Sequence, residues 1–294
     1  MVGSILAPVV IYGTLFGFTY VLLALGFTLL LGISRVLNLA YGALYMVTAY
    51  MIFYFAVELG INLVVAIVLA MAIAVAVGVA IFLLCVKFAP DPMRFLVVTL
   101  LVALFLQYLF AYPPLFQGET GLIIPGLIPT HEILLYGVSV SPVYLWTAGV
   151  TIVVFLGLWG WIEWTSYGRT VRAAAEDPET ASLFGIRVRT VYIVVVAVSS
   201  AIVALAAVLI VPAQEVTPTM WVEPFVIAFV VSVIGGLEKF KWTLPAAFLL
   251  SFSQFYVQFS YPTSSSLSDI VAFIVAIAFI IVLPRGIGGI RRGR

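Results

Sequence analysis

The sequence predicts an all-α integral membrane protein: a polytopic bundle of eight or nine transmembrane helices, with broken helices and a short helix on the cytoplasmic side. Three observations predict it. Of 294 residues, 65% are hydrophobic and 9% charged, and the mean hydropathy is +1.28. Soluble domains are about 45–50% apolar and about 25% charged, and no water-soluble packing hides this much apolar surface. Several apolar stretches approach the roughly 20 residues that cross a bilayer. Finally, lysine and arginine collect in alternate connections, as they do when one side faces the cytoplasm. A cytosolic enzyme, a secreted domain and a nucleic-acid binder are thereby excluded. Residues 1–294 read as one membrane domain.

The predicted spans are 4–32, 38–57, 62–86, 94–112, 143–164, 191–212, 223–237, 243–260 and 268–283. No basic region precedes the first, which reads as a retained span rather than a cleaved signal. Pro90 and Pro92 separate the third from the fourth, and Pro113-Pro114 stops the fourth. The loop 113–142, with its prolines and glycines, reads as a stiff cap over the bundle mouth or as a surface for an external solute-carrying protein. Pro212 and Pro218 bracket a turn, and Pro262 with Ser264-Ser265-Ser266 forms a loop. With nine spans and the N-terminus outside, all thirteen basic residues fall inside, from Arg35 to Arg294. The opposite loops or their edges carry Glu58, Glu119, Glu132, Glu215, Glu223 and Asp269. The C-terminus is therefore expected in the cytoplasm and the chain in the cell membrane. A re-entrant second segment would leave eight spans and move the N-terminus inside.

The chemistry that is missing narrows the function. One cysteine, Cys85, excludes a disulfide framework, and one histidine, His131, excludes a multi-histidine metal site. No glycine-rich nucleotide loop with Lys and Ser/Thr occurs, so no catalytic residue, metal or cofactor is assigned to this chain. The span interiors lack the ionisable residues of proton relays, pumps and voltage sensors. The formal charge of +1 gives no field for polyanions.

Two places interrupt the apolar pattern. The first runs from Arg35 to Met46. Asn38 and Tyr41 stand three apart, which on a helix is one face, and Gly42 permits close backbone approach. The second is Ser232-Val233-Ile234-Gly235-Gly236-Leu237-Glu238, where a Gly-Gly pair frees backbone groups that lipid cannot satisfy. Asn38, Tyr41, Gly42, Gly235 and Gly236 read either as helix packing or as the lining of a solute path, since paired interrupted segments point to a transporter's pathway.

The segment 165–190 is polar. It reads as two short helices, the second capped by Asp177 with Pro178 at its first position and Glu179 in its first turn. Gly185 is placed to end it. Ala181, Leu183 and Phe184 offer small and apolar contacts, suited to a groove in a soluble partner; the alternative is a helix lying on lipid headgroups. Gly168-Arg169…Arg172-Ala173…Ala175-Glu176-Asp177…Ala181…Leu183…Gly185-Ile186 resembles the coupling loop of ABC-transporter permeases of the branched-chain amino acid type (Liv system, H subunit). Leu25-Gly26-Phe27-Thr28-Leu29…Gly32…Asn38-Leu39-Ala40-Tyr41-Gly42…Tyr45-Met46, Ile234-Gly235-Gly236 and Leu283-Pro284-Arg285-Gly286-Ile287 are similar to further elements of that family. The likeness runs from about residue 13 to 289.

The resemblance implies a coupling helix in this segment and a transport subunit that is not itself an enzyme. It implies a second permease subunit, related but different, and two cytoplasmic ATPases carrying ATP and Mg²⁺. It also implies an external solute-binding protein, with membrane lipid around the chain and no nucleic acid. Branched-chain or similar amino acids are the implied solutes, with urea, short amides or simple sugars as variants. A self-sufficient channel or ion-coupled carrier is the alternative class. Two departures stand out. Tyr41 occupies a position where the family usually has histidine, and Glu238-Lys239-Phe240-Lys241-Trp242 follows the Gly-Gly pair where further small residues are usual.

Overall fold

In a computed structural model the described residues are 2–89, 91–112, 121–127, 131–236 and 240–260, with isolated helical positions at Ile270, Ile274, Ile277, Ala278 and Ile281. Apart from those isolated positions the ninth predicted span lies outside them, as do the loop 113–120, Glu238, Lys239 and the segment Leu283–Ile287.

Helix α1 (Val2–Ser34) has 33 residues and is about 50 Å long at 1.5 Å per residue, more than a roughly 30 Å hydrocarbon core requires. Its stretch from Tyr20 to Leu31 is almost wholly buried. The reason is position: α1 packs against α5 (Pro142–Trp164), α8 (Val188–Ile210), α9 (Val222–Gly235) and α10 (Thr243–Ser260). It ends at Arg35, which adopts a φ of +52°. Residues 36–39 are irregular, and α2 (Ala40–Phe53) follows, widening into a π-helical turn over Tyr54–Glu58. The first interruption therefore lies before Gly42. Asn38 stands outside the helix, not on a face shared with Tyr41, because its side-chain oxygen accepts from the Ala40 amide at 3.0 Å and so substitutes for the missing helical bond.

Helix α3 (Leu63–Phe88) starts at Asn62, whose side chain accepts from the Val64 amide. Ala66, Ala70, Ala74 and Gly78 recur every fourth residue and form its buried face, against α2 and α8. Helix α4 (Pro92–Ala111) follows, with proline at its first position. The outward faces of α3, α4 and α5 expose Val68, Leu101, Phe105, Trp146 and Val153, an apolar belt that only lipid or another membrane chain can cover.

Among the described residues, six helices are long and apolar enough to cross a membrane: Leu6–Ser34, Ala40–Glu58, Leu63–Phe88, Pro92–Ala111, Pro142–Trp164 and Val188–Ala213. The two later predicted spans differ in kind. Helix α9 has 14 residues, about 21 Å, because Gly236 at a φ of +92° ends it. Helix α10 has 18 residues and carries Ser251, Ser253, Gln254 and Gln258. These short helices are held by buried hydroxyls. Thr28 of α1 hydrogen-bonds Ser232 of α9 at 2.7 Å, and Thr243 of α10 joins them.

Beyond α4 the chain forms a hairpin, β1 (Ile133–Leu135) with β2 (Val138–Val140), antiparallel and in register Leu135 with Val138. Tyr136 and Gly137 have φ of +50° and +80°, the signature of a two-residue type I′ turn. The sequence reading placed only loop there. Between α5 and α8 lie α6 (Ser166–Glu176) and α7 (Pro178–Leu183).

Candidate functional site

The five residues expected on a path divide between the two ends of α9. At its start, a Cβ added to Gly42 would stand 2.5 Å from the Trp221 carbonyl oxygen and 2.7 Å from the Phe225 Cβ. Gly42 is what lets α2 meet α9 this closely. Tyr41, one residue earlier, is buried; its hydroxyl donates to the Leu23 carbonyl at 2.9 Å and its ring packs edge-on to Phe27. Asn38 is buried below them. At the far end of α9, Gly235 lies against the Trp242 carbonyl and Gly236 donates its N–H to Ser232 at 3.0 Å. These contacts fix α9 at both termini, and none of the five residues lines either of the two cavities described below.

Reasoning from the sequence missed a polar cavity elsewhere. Thr19 and Tyr20 of α1, Tyr45 of α2, Tyr144 of α5, Gln214 beyond α8 and Glu223 of α9 converge on a space of about 30 Å³. It lies toward the end of α8 remote from α6 and α7, beside Ile210. Tyr45 forms its inner wall at 1% exposure, while Gln214 and Glu223 are exposed. Glu223 had been legible only as an acid at the edge of a span. The acid-proline start of α9 and a tyrosine four residues after Tyr41 were the available signals, and neither alone marks a site. A larger apolar groove of about 320 Å³ lies between α5 and α8, lined by Val143, Trp146 and Leu209 among others.

The segment 165–190 is folded tightly at every joint. Thr165 caps α6 by accepting from the Gly168 amide at 3.0 Å. A Cβ at Gly168 would collide with the Trp161 and Ile162 carbonyl oxygens, so glycine there allows α6 to fold back onto the end of α5. Arg172 closes the same corner: it donates to the Ile162 carbonyl and pairs with Glu163 at 3.0 Å. Arg172 is thus engaged within the chain, whereas Arg169 is exposed and donates to Ser166 at 3.1 Å. Ala173 is half-buried and Glu176 exposed.

Asp177 accepts from the Glu179 and Thr180 amides at 3.0 and 3.1 Å and from the Thr180 hydroxyl. These bonds, led by the hydroxyl, hold its carboxyl below the usual carboxylate range, and the nearby charge of Arg35 adds to them. At the other end Gly185 has a φ of +81°. The Ile186 amide reaches the Ala181 carbonyl and the Gly185 amide the Ser182 carbonyl, the paired bonds of a Schellman ending. Ala181 is 5% exposed and packs inward. This corrects the expectation that Ala181 faces a partner. One residue type and 100° per step decide it: Leu183 and Phe184 take the outer face, at 85% and 83% exposure.

Long apolar helices packed around α1, with a short rigid helix pair projecting between two of them, define a polytopic helical membrane protein. The family model described as branched-chain amino acid transport system, permease component, matches residues 9–280, and the chain belongs to that family. It is 27% identical to the high-affinity branched-chain amino acid transport system permease protein LivH of Salmonella typhimurium, over 94% of this chain and 93% of the relative. LivH of Escherichia coli K12 shows the same identity and coverage. BraD of Pseudomonas aeruginosa, also named as a permease of such a system, is 27% identical over 94% of each chain. No solved structure matches this chain.

Proposed function

We propose that this chain is the membrane subunit of an ATP-driven importer that passes branched-chain or similar amino acids, delivered by an external solute-binding protein. The substrate follows the printed names of relatives that align over nearly the whole chain. The observation that carries the ATP-driven part is the α6–α7 segment. It is capped at both ends, braced against α5, and presents Leu183 and Phe184 to the exterior. Two adjacent large apolar side chains on a rigid polar segment suit insertion into a groove of a soluble protein.

In this reading the partner is an ATPase, which holds the ATP and Mg²⁺, and two such subunits serve a pair of permeases. Their motion biases the bundle between inward- and outward-open arrangements, which requires different contacts in the two states. The segment and the C-terminus then face the cytoplasm, as the clustering of Arg169, Arg172, Arg187 and Arg189 within it favours. The test is ATP-dependent uptake of labelled leucine, urea and ribose by the reconstituted complex. Leucine uptake that needs ATP supports the proposal. Transport by the permease without an ATPase, or uptake of urea or ribose alone, removes it.

A further inference from the structure

The cavity at Tyr45 and Glu223 carries an inference that rests on the amino-acid reading and deepens it. Among the described residues its polar lining is one carboxylate, three phenols, a hydroxyl and an amide, with no lysine, arginine or histidine. Such a lining offers oxygen acceptors in excess and one negative charge, which matches a group with several donors and a positive charge. Glu223, in the first turn of α9, is exposed where it lines this space, so a cation can reach it from outside. Size narrows the ligand further. A space of about 30 Å³ takes one water or one ammonium group, not a whole amino acid. Beside the polar groups stand Phe16, Leu23 and Ile227, an apolar surface next to a charged pocket.

We propose that this cavity binds the primary ammonium group of the amino-acid substrate, with Glu223 as counter-charge and the Tyr45 hydroxyl as an acceptor at its inner wall. The aliphatic part of the substrate stays at the mouth, against the apolar lining. Substrates without an ammonium group forgo the charged contact with Glu223 and bind here more weakly.

The test uses the assembled transporter complex in nanodiscs without ATP. A thiol placed beside the mouth, Ala213→Cys in a Cys85→Ala background, reports occupancy through its labelling rate. Leucine and isoamylamine, which carry the ammonium group, are expected to slow labelling; 4-methylpentanoate, which lacks it, is not. Glu223→Gln should weaken the protection roughly tenfold or more, the loss expected for a charged hydrogen bond. Glu223→Asp should retain part of it, which separates lost charge from lost folding. Equal protection by 4-methylpentanoate overturns the proposal, as does no protection by isoamylamine. Equal protection by sodium chloride alone also overturns it, since the site would then hold an alkali cation. Leucine uptake by the same complex is scored separately. Uptake without protection removes the pocket and leaves the importer reading; protection without uptake does the reverse.

Discussion

The guanidinium of Arg35 donates to the Glu176 carbonyl at 3.4 Å, which ties the end of α1 to the corner between α6 and α7. Glu176 is the last residue of α6, and Asp177 beside it caps α7. Arg35 also directly follows the helix around which α5, α8, α9 and α10 pack. A displacement of α7 therefore has a short route to the centre of the bundle, beyond the covalent connections to α5 and α8. Arg35 reaches this position in a left-handed conformation that is uncommon for a residue with a side chain.

Replacing Arg35 separates the tether from the backbone it sits on. Arg35→Gly keeps the left-handed turn, which glycine adopts freely, and removes the guanidinium. ATPase association is expected to persist while uptake per ATP hydrolysed falls by up to about fivefold, the ceiling for an exposed charged contact. Transport and hydrolysis measured together check this; unchanged stoichiometry refutes the tether.

Leu183 and Phe184 are expected to be the contact and Ala181 the scaffold. Leu183→Asp and Phe184→Asp should leave the purified permease as stable as the parent, since both side chains are exposed, and should abolish co-purification with the ATPase. Ala181→Trp should act first on the segment itself, because overfilling a packed site costs about 1–3 kcal/mol. Limited proteolysis across residues 178–190 reads that loss directly. Stable ATPase association in both aspartate variants would show that docking lies elsewhere.

Gly42→Ala is expected to destabilise the permease. Its Cβ would meet the Trp221 backbone carbonyl at 2.5 Å, and backbone cannot rotate away as a side chain can. A cost of about 1–3 kcal/mol should appear as a lower unfolding temperature in detergent and a poorer yield of assembled complex. A Gly42→Leu variant that assembles normally but blocks uptake would instead place this glycine on the solute path.

The Asp177 cap should be insensitive to pH across the physiological range. Its carboxyl is held below its ordinary value of 3.8, so the stabilisation is fully present above that value and is lost only as pH falls through the lower folded-state value. Asp177→Asn retains a capping oxygen without a titrating group. Its segment should resist protease at about pH 7 much as the parent does, whereas Asp177→Ala should be cut faster. Faster cutting of the parent between about pH 8 and pH 6 would contradict the cap as its main support.

Local features were legible without a structure. Helix α8 was predicted at 191–212 and runs from Val188 to Ile210, because a long apolar run bounded by a polar segment and Pro212 allows little else. The ending at Gly185 is equally local: a glycine after a short helix supplies the left-handed turn. The hairpin at 133–140 was missed, since Tyr136 is a poor advertisement for a position that needs positive φ; the following Gly137 was the usable cue.

The solvent, the helix limits and the caps are therefore written into the chain itself, set by composition and by residues within a few positions of one another. Tertiary structure alone decided which faces meet. Ala181 and Leu183 differ by two positions, yet one is buried and the other exposed, and their order along the chain says nothing of which side α6 and α8 occupy. In an almost uniformly apolar chain, hydrophobicity cannot tell a lipid-facing surface from a protein-facing one, because lipid is as apolar as the core. Close packing tells them apart instead, through the fit of Gly42 to Trp221 and the bond from Thr28 to Ser232, 204 positions apart. The cavity formed by Tyr45, Tyr144 and Glu223 has the same origin: three helices distant in the chain supply it, and only their packing makes it one place.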